Sequence, residues 1–458
     1  MKQQSASMTH YQKMTEAPIP SLTVGLSIPA IIAALITTIY NMVDTFYVGK
    51  LGTSQAAAVG VAFSIMTFAN AVGFLMGMGA GSIISQLLGA KKTEEANVIA
   101  STAFFTTILF STILAALGIV FIKPLMLALG ATQTNLPYAI EYGRCLLFGF
   151  PVMTSSLVLS TIIRCEGRTI YSMFGIGIGG LLSIALAPVF IFVLRLGVLG
   201  AAITDVICQT IGLLILLSFY LRGKSSVTLS VRSVSRKPAT YLSILRMGTP
   251  SLCRHAIASL ANVAMNFSAA PFGDNAQAAM SIVMRLLSLS QSLCNGMNQG
   301  SQTLFGFNYG AKKFRRVKEV FRFTLILNTS ILLLIGIAEA IFAPSLAALF
   351  RNDPDVIAIC APGIRIQALA MVLIPINTLP NMLFQSVGEA GKSSFLASAR
   401  QGLFYIPLIL ILPKLFSVTG LQIAMPAADL LTLFLAVPML LAFFRRLNRK
   451  ISDSPEQA

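Results

Sequence analysis

The stretch LLGAKK, residues 87–92, recurs as NYGAKK at residues 308–313, an offset of 221 in a chain of 458 residues. A second match has an offset of 224, because EGRTIYSM (166–173) aligns with AGKSSFLA (390–397). Each match is short, but two nearly equal offsets from separate regions are unexpected by chance. They predict that the chain consists of two related halves joined in tandem.

Both halves have the composition of a protein dissolved in lipid. Hydrophobic residues make up 55% of the chain and charged residues 11%, and the mean hydropathy is +0.80. Apolar runs of roughly 20 residues, long enough to cross a hydrocarbon core of about 30 Å as helices, occur along the whole length. Reading these runs against the polar breaks predicts an all-α membrane protein with twelve transmembrane helices, centred near residues 36, 67, 108, 149, 182, 211, 257, 286, 331, 372, 405 and 432.

Twelve spans divide into six for each half. Because six is even, both halves begin on the same side of the membrane, which predicts a parallel repeat of two six-helix bundles related by a pseudo-two-fold axis. The polar segment 222–243 is the natural cytoplasmic linker. We therefore expect an N-terminal lobe over residues 1–221 and a C-terminal lobe over residues 244–458.

The positive charges follow the predicted topology. Of 33 Lys and Arg residues, 24 lie on the side that holds both termini, and five lie on the opposite side. The positive-inside rule then places both termini in the cytoplasm of a multi-pass protein of the cell membrane. The net charge of +17 is accounted for by this topology, so we expect no nucleic-acid partner.

Four of the 16 acidic residues fall at membrane depth: Asp44, Asp205, Glu339 and Asp429. An ionisable residue inside a span is costly, so a functional role or a specific partner is the first hypothesis for each. Glu339 lies near the outer end of its span and is interpreted as an ordinary hydrated carboxylate. The alternative for the other three is that they only fix helix packing through buried hydrogen bonds.

Two of these acids belong to polar faces of their helices. Thr37, Asn41 and Asp44 are spaced i, i+4 and i+7, so they form one stripe on the first helix. Asp205 has Gln209 four residues later on the sixth helix. Such faces point to protein or water and away from lipid, so we expect both acids to face the interior of the N-terminal lobe.

The C-terminal lobe supplies candidates for substrate contact or a second site. Arg285 lies within a span and needs a partner, for which Asp429 is the obvious choice. Met265, Met284 and Met297 are candidates for an adaptable apolar cavity, because thioethers accommodate varied shapes.

Several stretches together resemble a known family. IYNMVDTFYVGKLG (39–52), LLGAKK (87–92) and MSIVMRLLSLSQSLCNGMNQGSQTLFGFNYGAKKFRRVKEV (280–320), within the duplicated twelve-span layout, are similar to the multidrug and toxic compound extrusion (MATE) family, closest to its MepA-like branch. The resemblance covers nearly the whole chain. It implies an antiporter that exports lipophilic, often cationic drugs or toxic compounds in exchange for H⁺ or Na⁺, by alternating access between the two lobes. Antibiotic resistance and xenobiotic transport are the implied biological roles.

The resemblance assigns cation coupling to Asp44. Relatives commonly carry an Asn and an Asp four residues apart in span five and a Thr in span six. Here the span-five positions hold Ser183 and Ala187, whereas the span-six position holds Asp205. We therefore hypothesise that the second carboxylate has moved to the sixth helix and still faces Asp44.

The chemistry of such a pair leaves the coupling ion open. Two facing carboxyl groups cannot both ionise cheaply in a poorly solvated lobe, which suits proton coupling. The oxygens of Asp44, Asp205 and Asn41, with Thr37 nearby, equally suit Na⁺.

Two other functions are alternatives to the antiporter. A lipid-linked saccharide flippase of the same superfamily would share the duplicated spans but is expected to have a more cationic cavity. An enzyme is not expected, because only His10 and His255 are present and no HExxH or GxSxG motif occurs. We expect no cofactor beyond the transported ion, small-molecule substrates and membrane lipids as partners, and a monomer.

Overall fold

The computed structural model describes residues 9–351 and 353–452, and these form helices joined by short turns and by one longer linker at 222–237. The α-helices are α1 His10–Glu16, α2 Ile19–Gly49, α3 Thr53–Gly89, α4 Thr93–Val120, α5 Ile122–Ala128, α6 Leu136–Cys165, α7 Thr169–Pro188, α8 Gly197–Leu221, α9 Pro238–Ala269, α10 Gly273–Gly310, α11 Phe314–Ile341, α12 Ala343–Phe350, α13 Pro354–Ala370, α14 Leu373–Ser386, α15 Ala390–Ser398 and α16 Ile406–Ser452. Two π-helices, Val189–Val193 and Ala399–Tyr405, continue α7 and join α15 to α16.

Twelve helical stretches are long enough to cross a membrane. Over the described residues, eight helices combine this length with strong apolarity, and α13 with α14, bent by 51°, form a ninth span. The stretch Ala390–Ser452 is counted once among the eight but breaks at Ser417, where φ is 53°, so it holds two spans. The helices α9 and α10, of 32 and 38 residues, supply the last two and are more polar. The prediction of an all-α membrane protein with twelve spans is confirmed.

The repeated GAKK motif forms the same turn in both halves. Lys91 and Lys312 have φ values of 61° and 60°. In each copy, the N–H of the following lysine donates to the carbonyl oxygen five residues earlier at 2.8 Å. Because positive φ is uncommon for a residue with a side chain, its occurrence at both positions supports the tandem repeat.

The second repeat match is wrong by three residues. The ends of α6 and α14 lie 221 residues apart, and so do the starts of α7 and α15. Gly167 and Gly388, in the turns between these helices, both have positive φ. A shift of three residues is close to one helical turn, so it preserves the apolar face and misleads a pattern match. Asp205 therefore corresponds to Pro426, and Asp429 lies one turn later.

The first compact unit, Ile28–Gly248, is called the N-terminal unit here. It contains α3 to α8, most of α2 and the beginning of α9. Close contact between α3 and α9 requires glycine, because a Cβ at Gly248 would overlap the carbonyl oxygen of Leu75. The apolar core of this unit includes the fully buried Tyr142 and Phe150.

The second compact unit, Met1–Ser27 with Thr249–Ala458, is called the C-terminal unit. Its short helix α1 is held by side chains of the second half. The Asn308 amide donates to the Met14 carbonyl oxygen at 3.3 Å, and Arg316 Nη2 donates to the Ala17 carbonyl oxygen at 2.7 Å. The division falls inside α2 and α9, and the lobe boundaries expected at residues 221 and 244 stay predictions.

Candidate functional site

Asp44 lies five residues before the end of α2, about 8 Å from it at 1.5 Å per residue. Its side chain is half-buried, as are Thr37 and Asn41 on the same helix. The Thr37 hydroxyl donates to the carbonyl oxygen of Ala33 at 2.9 Å, so it is engaged by its own helix. The polar stripe exists as predicted, with Asp44 as its charged member.

Asp205 lies on α8, eight residues after the helix begins, and its side chain is buried. Tyr142 from α6 and Ser183 from α7 place their hydroxyl groups beside the Asp205 carboxyl group. Within the described residues, Asp205 Oδ2 and the Tyr142 hydroxyl nevertheless have no hydrogen-bond partner. A buried oxygen atom without a hydrogen-bond partner raises the free energy of the folded protein, which suits a group that exchanges a cation.

The two acids lie close enough for their charges to act on each other. Both also act on the buried hydroxyl groups of Tyr40, from α2, and Tyr142. Within residues 9–351 and 353–452, neither acid forms an ion pair. The structure therefore brings Asp44 and Asp205 into one neighbourhood with two tyrosines, and their role in cation coupling stays a prediction.

Span five contributes one polar group to this neighbourhood. Ser183 is buried beside Asp205, whereas Ala187 is 2% exposed and packs with Ile191, Val198 and neighbouring apolar residues. The position that carries an acid in the resembling family is thus part of an apolar core here.

A cleft of about 580 Å³ lies between α6 and α8 in the N-terminal unit. Its walls are Pro137, Ile140, Glu141 and Arg144 from α6, with Leu199 from α8, and Cys145 also lines it. The Cys145 thiol interacts electrostatically with Asp205. One residue of the cleft wall is therefore within electrostatic range of the buried acid.

Asp429 has a different environment in the C-terminal unit. Arg400, from the π-helix Ala399–Tyr405, forms a two-point ion pair with it, with Nη2 and Oδ2 3.2 Å apart. The Asn377 amide donates to the Asp429 carbonyl oxygen at 2.9 Å. The expected pairing of Asp429 with Arg285 is wrong, because Arg285 is exposed and Arg400 occupies the carboxylate. Arg400 could not be identified as this partner from the sequence, because it lies near Lys392 in a stretch typical of cytoplasmic segments.

The other substrate candidates are mostly core residues. Met265 and Met297 are 4% and 3% exposed in the C-terminal unit, and Met284 is half-buried. Gln209 is half-buried on α8. Glu339 is half-buried and accepts a hydrogen bond from the Ser290 hydroxyl at 2.9 Å. A role of the three methionines and of Gln209 in substrate binding stays a prediction.

A buried acid in the turn between α6 and α7, Glu166, could not be identified from the sequence. Glu166 follows α6, is 0% exposed, and accepts a hydrogen bond from the Ser226 N–H at 2.6 Å. The Thr228 N–H in turn donates to Asn97 Oδ1 at 2.8 Å. The linker is thus held on the N-terminal unit by side chains of α4 and of the turn after α6. No local sequence signal distinguishes Glu166 from an exposed turn residue.

Tandem halves of six spans, with Asp44 and Asp205 at membrane depth and without a counter-charge among the described residues, are typical of polytopic membrane proteins that move solutes. The MatE family model matches residues 29–189 and 250–411. This chain therefore belongs to the MatE family of multidrug and toxic compound extrusion proteins. It is accordingly a multi-pass membrane transporter and not an enzyme.

Curated relatives and solved structures agree with this assignment. The chain is 24% identical over 434 residues to the multidrug export protein MepA of Staphylococcus haemolyticus, covering 94% of this chain and 96% of the relative. MepA of Staphylococcus aureus strain MSSA476 is 24% identical over 442 residues, 96% of this chain and 97% of the relative. A solved outward-facing structure of a multidrug resistance MATE family transporter of the MOP superfamily has a TM-score of 0.92 at 24% identity, over 97% of this chain and all of the other.

Proposed function

We propose that this protein is a secondary active antiporter that exports lipophilic, often cationic compounds in exchange for H⁺ or Na⁺. The observation that carries the proposal is the neighbourhood of Asp44 and Asp205, two acids whose charges interact without an ion-pair partner among the described residues. Relatives named as multidrug export proteins support the class of cargo.

The coupling follows from the free-energy cost of holding two ionised carboxylates close together where they are poorly hydrated. A proton on one of them, or Na⁺ held between their oxygens and the hydroxyl groups of Tyr40 and Tyr142, removes that cost. A cation that binds one conformation of the protein better than the other shifts the balance between them. The export cycle then needs only that the cation favours the state in which the compound is released, and the compound favours the state in which the cation is released.

The saccharide flippase is not favoured as an alternative. The family match and the multidrug export relatives both point to export of drugs or toxic compounds. We further propose that both termini are cytoplasmic, that the protein acts in the cell membrane as a monomer in contact with lipid, and that it uses no cofactor beyond the transported ion.

The experiment is uptake of ethidium into proteoliposomes in which pH and Na⁺ gradients are imposed separately. We expect one of the two gradients to drive uptake beyond the rate in protein-free liposomes, and the active gradient identifies the coupling ion. Uptake that responds to neither gradient would contradict antiport.

A further inference from the structure

Two helices of the C-terminal unit carry stripes of positive charge near the end that we propose is cytoplasmic. On α11, Lys318 and Arg322 are four residues apart. On the last part of α16, Arg445 and Arg449 have the same spacing. Residues four apart lie on one face of a helix, so each pair forms one stripe. All four side chains are exposed.

The two stripes point to the same side of the helix pair. The rings of Phe321 and Phe444 meet with a centroid distance of 5.2 Å, so they mark where α11 and α16 touch. Arg322 and Arg445 each follow one of these rings by one residue, which turns the side chain by about 100° around its helix. As the ninth and the twelfth spans, the two helices run in opposite directions, so the two turns bring both arginines to one side. The four cations, Lys318, Arg322, Arg445 and Arg449, are called the basic groove here.

No described acid neutralises the basic groove. None of its four cations has an ion-pair or hydrogen-bond partner for its charged group among residues 9–351 and 353–452. The neighbouring acids are already paired, because Glu319 lies 3.4 Å from Arg315 and Glu389 lies 2.9 Å from Arg446. The groove therefore presents four positive charges to its surroundings.

Exposed apolar side chains continue both stripes toward the middle of the spans. Ile326 follows Arg322 by four residues and is 56% exposed. Leu441 precedes Arg445 by four residues and is 52% exposed. On each helix the change from charged to apolar side chains thus falls within one turn, beside the contact between the two helices. A phospholipid has the same order of groups, since its phosphate lies at the water interface and its acyl chains enter the hydrocarbon core.

The repeat shows that the same positions bind a ligand segment in the other half. The ends of α4 and α11 differ by 221 residues, so Lys318 corresponds to Asn97 and Arg322 to Ser101. Both α4 residues hold the linker: Asn97 Oδ1 accepts a hydrogen bond from a linker N–H at 2.8 Å, and the Ser101 hydroxyl accepts another at 3.1 Å. In the C-terminal unit these short neutral side chains are replaced by exposed cations. No described segment covers them, and their charge calls for an anionic ligand.

Two anionic occupants have the right charge. The residues after Ser452, with the sequence DSPEQA at 453–458, carry two acids and lie outside the described residues. This tail is polar throughout, so it matches the cations but not the exposed Ile326 and Leu441. An anionic phospholipid matches both, because its phosphate accepts hydrogen bonds from lysine and arginine and its acyl chains cover apolar side chains.

We propose that the basic groove binds the phosphate headgroup of an anionic phospholipid, whose acyl chains lie along Ile326 and Leu441. The lipid supplies the counter-charge that the described chain lacks and bridges α11 to the last part of α16. A zwitterionic phospholipid binds less tightly, because its own cationic group offsets the phosphate. The inference does not depend on the proposed export function.

The test measures lipid binding to the purified full-length protein in detergent by native mass spectrometry. Dioleoylphosphatidylglycerol and dioleoylphosphatidylcholine have the same acyl chains and differ in net charge. We expect the wild-type protein to bind the first phosphatidylglycerol more tightly than the first phosphatidylcholine. The double variant Arg322→Gln/Arg445→Gln should weaken phosphatidylglycerol binding about thirtyfold, at about fivefold for each cation near a lipid surface, and should leave phosphatidylcholine binding unchanged.

Two further double variants separate the site from general charge effects. Arg322→Lys/Arg445→Lys keeps both charges and should retain most of the affinity for phosphatidylglycerol. Arg232→Gln/Arg236→Gln removes two exposed arginines from the linker of the N-terminal unit and is the matched control. This control should bind both lipids as the wild type does. Size-exclusion chromatography verifies that each variant is folded.

Three results would overturn the proposal. The first is equal affinity of the wild-type protein for the two lipids, and the second is a loss of phosphatidylglycerol binding in the linker control as large as that in Arg322→Gln/Arg445→Gln. Deletion of residues 453–458 provides the third. We expect the deletion to leave phosphatidylglycerol affinity unchanged, whereas a clear rise in affinity would show that the acidic tail, and not a lipid, occupies the basic groove in the intact chain.

Discussion

Replacing Glu166 with glutamine perturbs the contact that holds the linker on the N-terminal unit. Glu166 is fully buried and accepts hydrogen bonds from the Ser225 hydroxyl at 2.8 Å and from the Ser226 N–H. Burial raises the pKa of Glu166 from its ordinary value of 4.5 to about 7, although these hydrogen bonds and the charge of Arg168 partly oppose the rise. The docked linker therefore favours the protonated acid.

The magnitude follows from this pKa. Because the pKa of Glu166 is higher in the docked state than in water, the stabilisation of docking is complete below about pH 4.5 and is lost as the pH rises to about 7. At 1.36 kcal/mol for each tenfold change in proton affinity, the total is about 3 kcal/mol. Between pH 6 and pH 8 the docked linker should lose about 1 kcal/mol, which is roughly tenfold in its equilibrium constant. Glutamine keeps the acceptor without the charge, so Glu166→Gln should remove this pH dependence.

Hydrogen exchange of the linker amides over residues 225–230 measures the docking equilibrium, once the rates are corrected for the intrinsic effect of pH. We expect wild-type protection to fall about tenfold from pH 6 to pH 8 and the glutamine variant to be more protected at pH 8. Glu95→Gln, at an exposed acid paired with Lys92, is the control and should follow the wild type. Equal wild-type protection at both pH values, or a Glu166→Gln variant that follows the wild-type curve, would refute the reasoning.

Two further substitutions are tested by thermal unfolding of the detergent-solubilised protein. Arg400→Gln leaves Asp429 buried without its cation and should lower the unfolding free energy by about 3–5 kcal/mol. Adding Asp429→Asn should recover much of this loss, and no recovery in the double variant would contradict the ion-pair account. Gly248→Ala places a Cβ against the Leu75 carbonyl oxygen and should lower the unfolding free energy by about 1–3 kcal/mol. Gly60→Ala meets open space and should change the unfolding free energy little. Equal effects of the two substitutions would argue against close packing of α3 on α9.

Most of the fold could be predicted from the sequence because membrane spans are set by length and apolarity. The GAKK motif also predicted the repeat correctly, and both copies form the same turn with a left-handed lysine. The match at an offset of 224, which would align Asp205 with Asp429, was wrong for a physical reason. Neighbouring turns of a helix present the same face, so an apolar pattern does not distinguish an offset of 221 from one of 224.

Site residues could be predicted from the sequence where a charge is rare for its position. They could not be predicted where burial depends on contacts with distant parts of the chain. Asp44 and Asp205 stood out because acids are scarce inside spans. Glu166 and Arg400 did not, because each lies among residues typical of cytoplasmic turns. Their burial comes from partners far along the chain, 60 residues for Ser226 and 29 for Asp429.

The central claim is that Asp44 and Asp205 together couple cation entry to export. Its most direct test is gradient-driven ethidium uptake into proteoliposomes that contain Asp44→Asn, Asp205→Asn or the control Glu339→Gln, which changes an acid of the other unit. Size-exclusion chromatography verifies that each variant is folded. We predict that both aspartate variants fall to the rate of protein-free liposomes while Glu339→Gln retains uptake. Near-wild-type uptake by a folded Asp44→Asn or Asp205→Asn variant would contradict the claim.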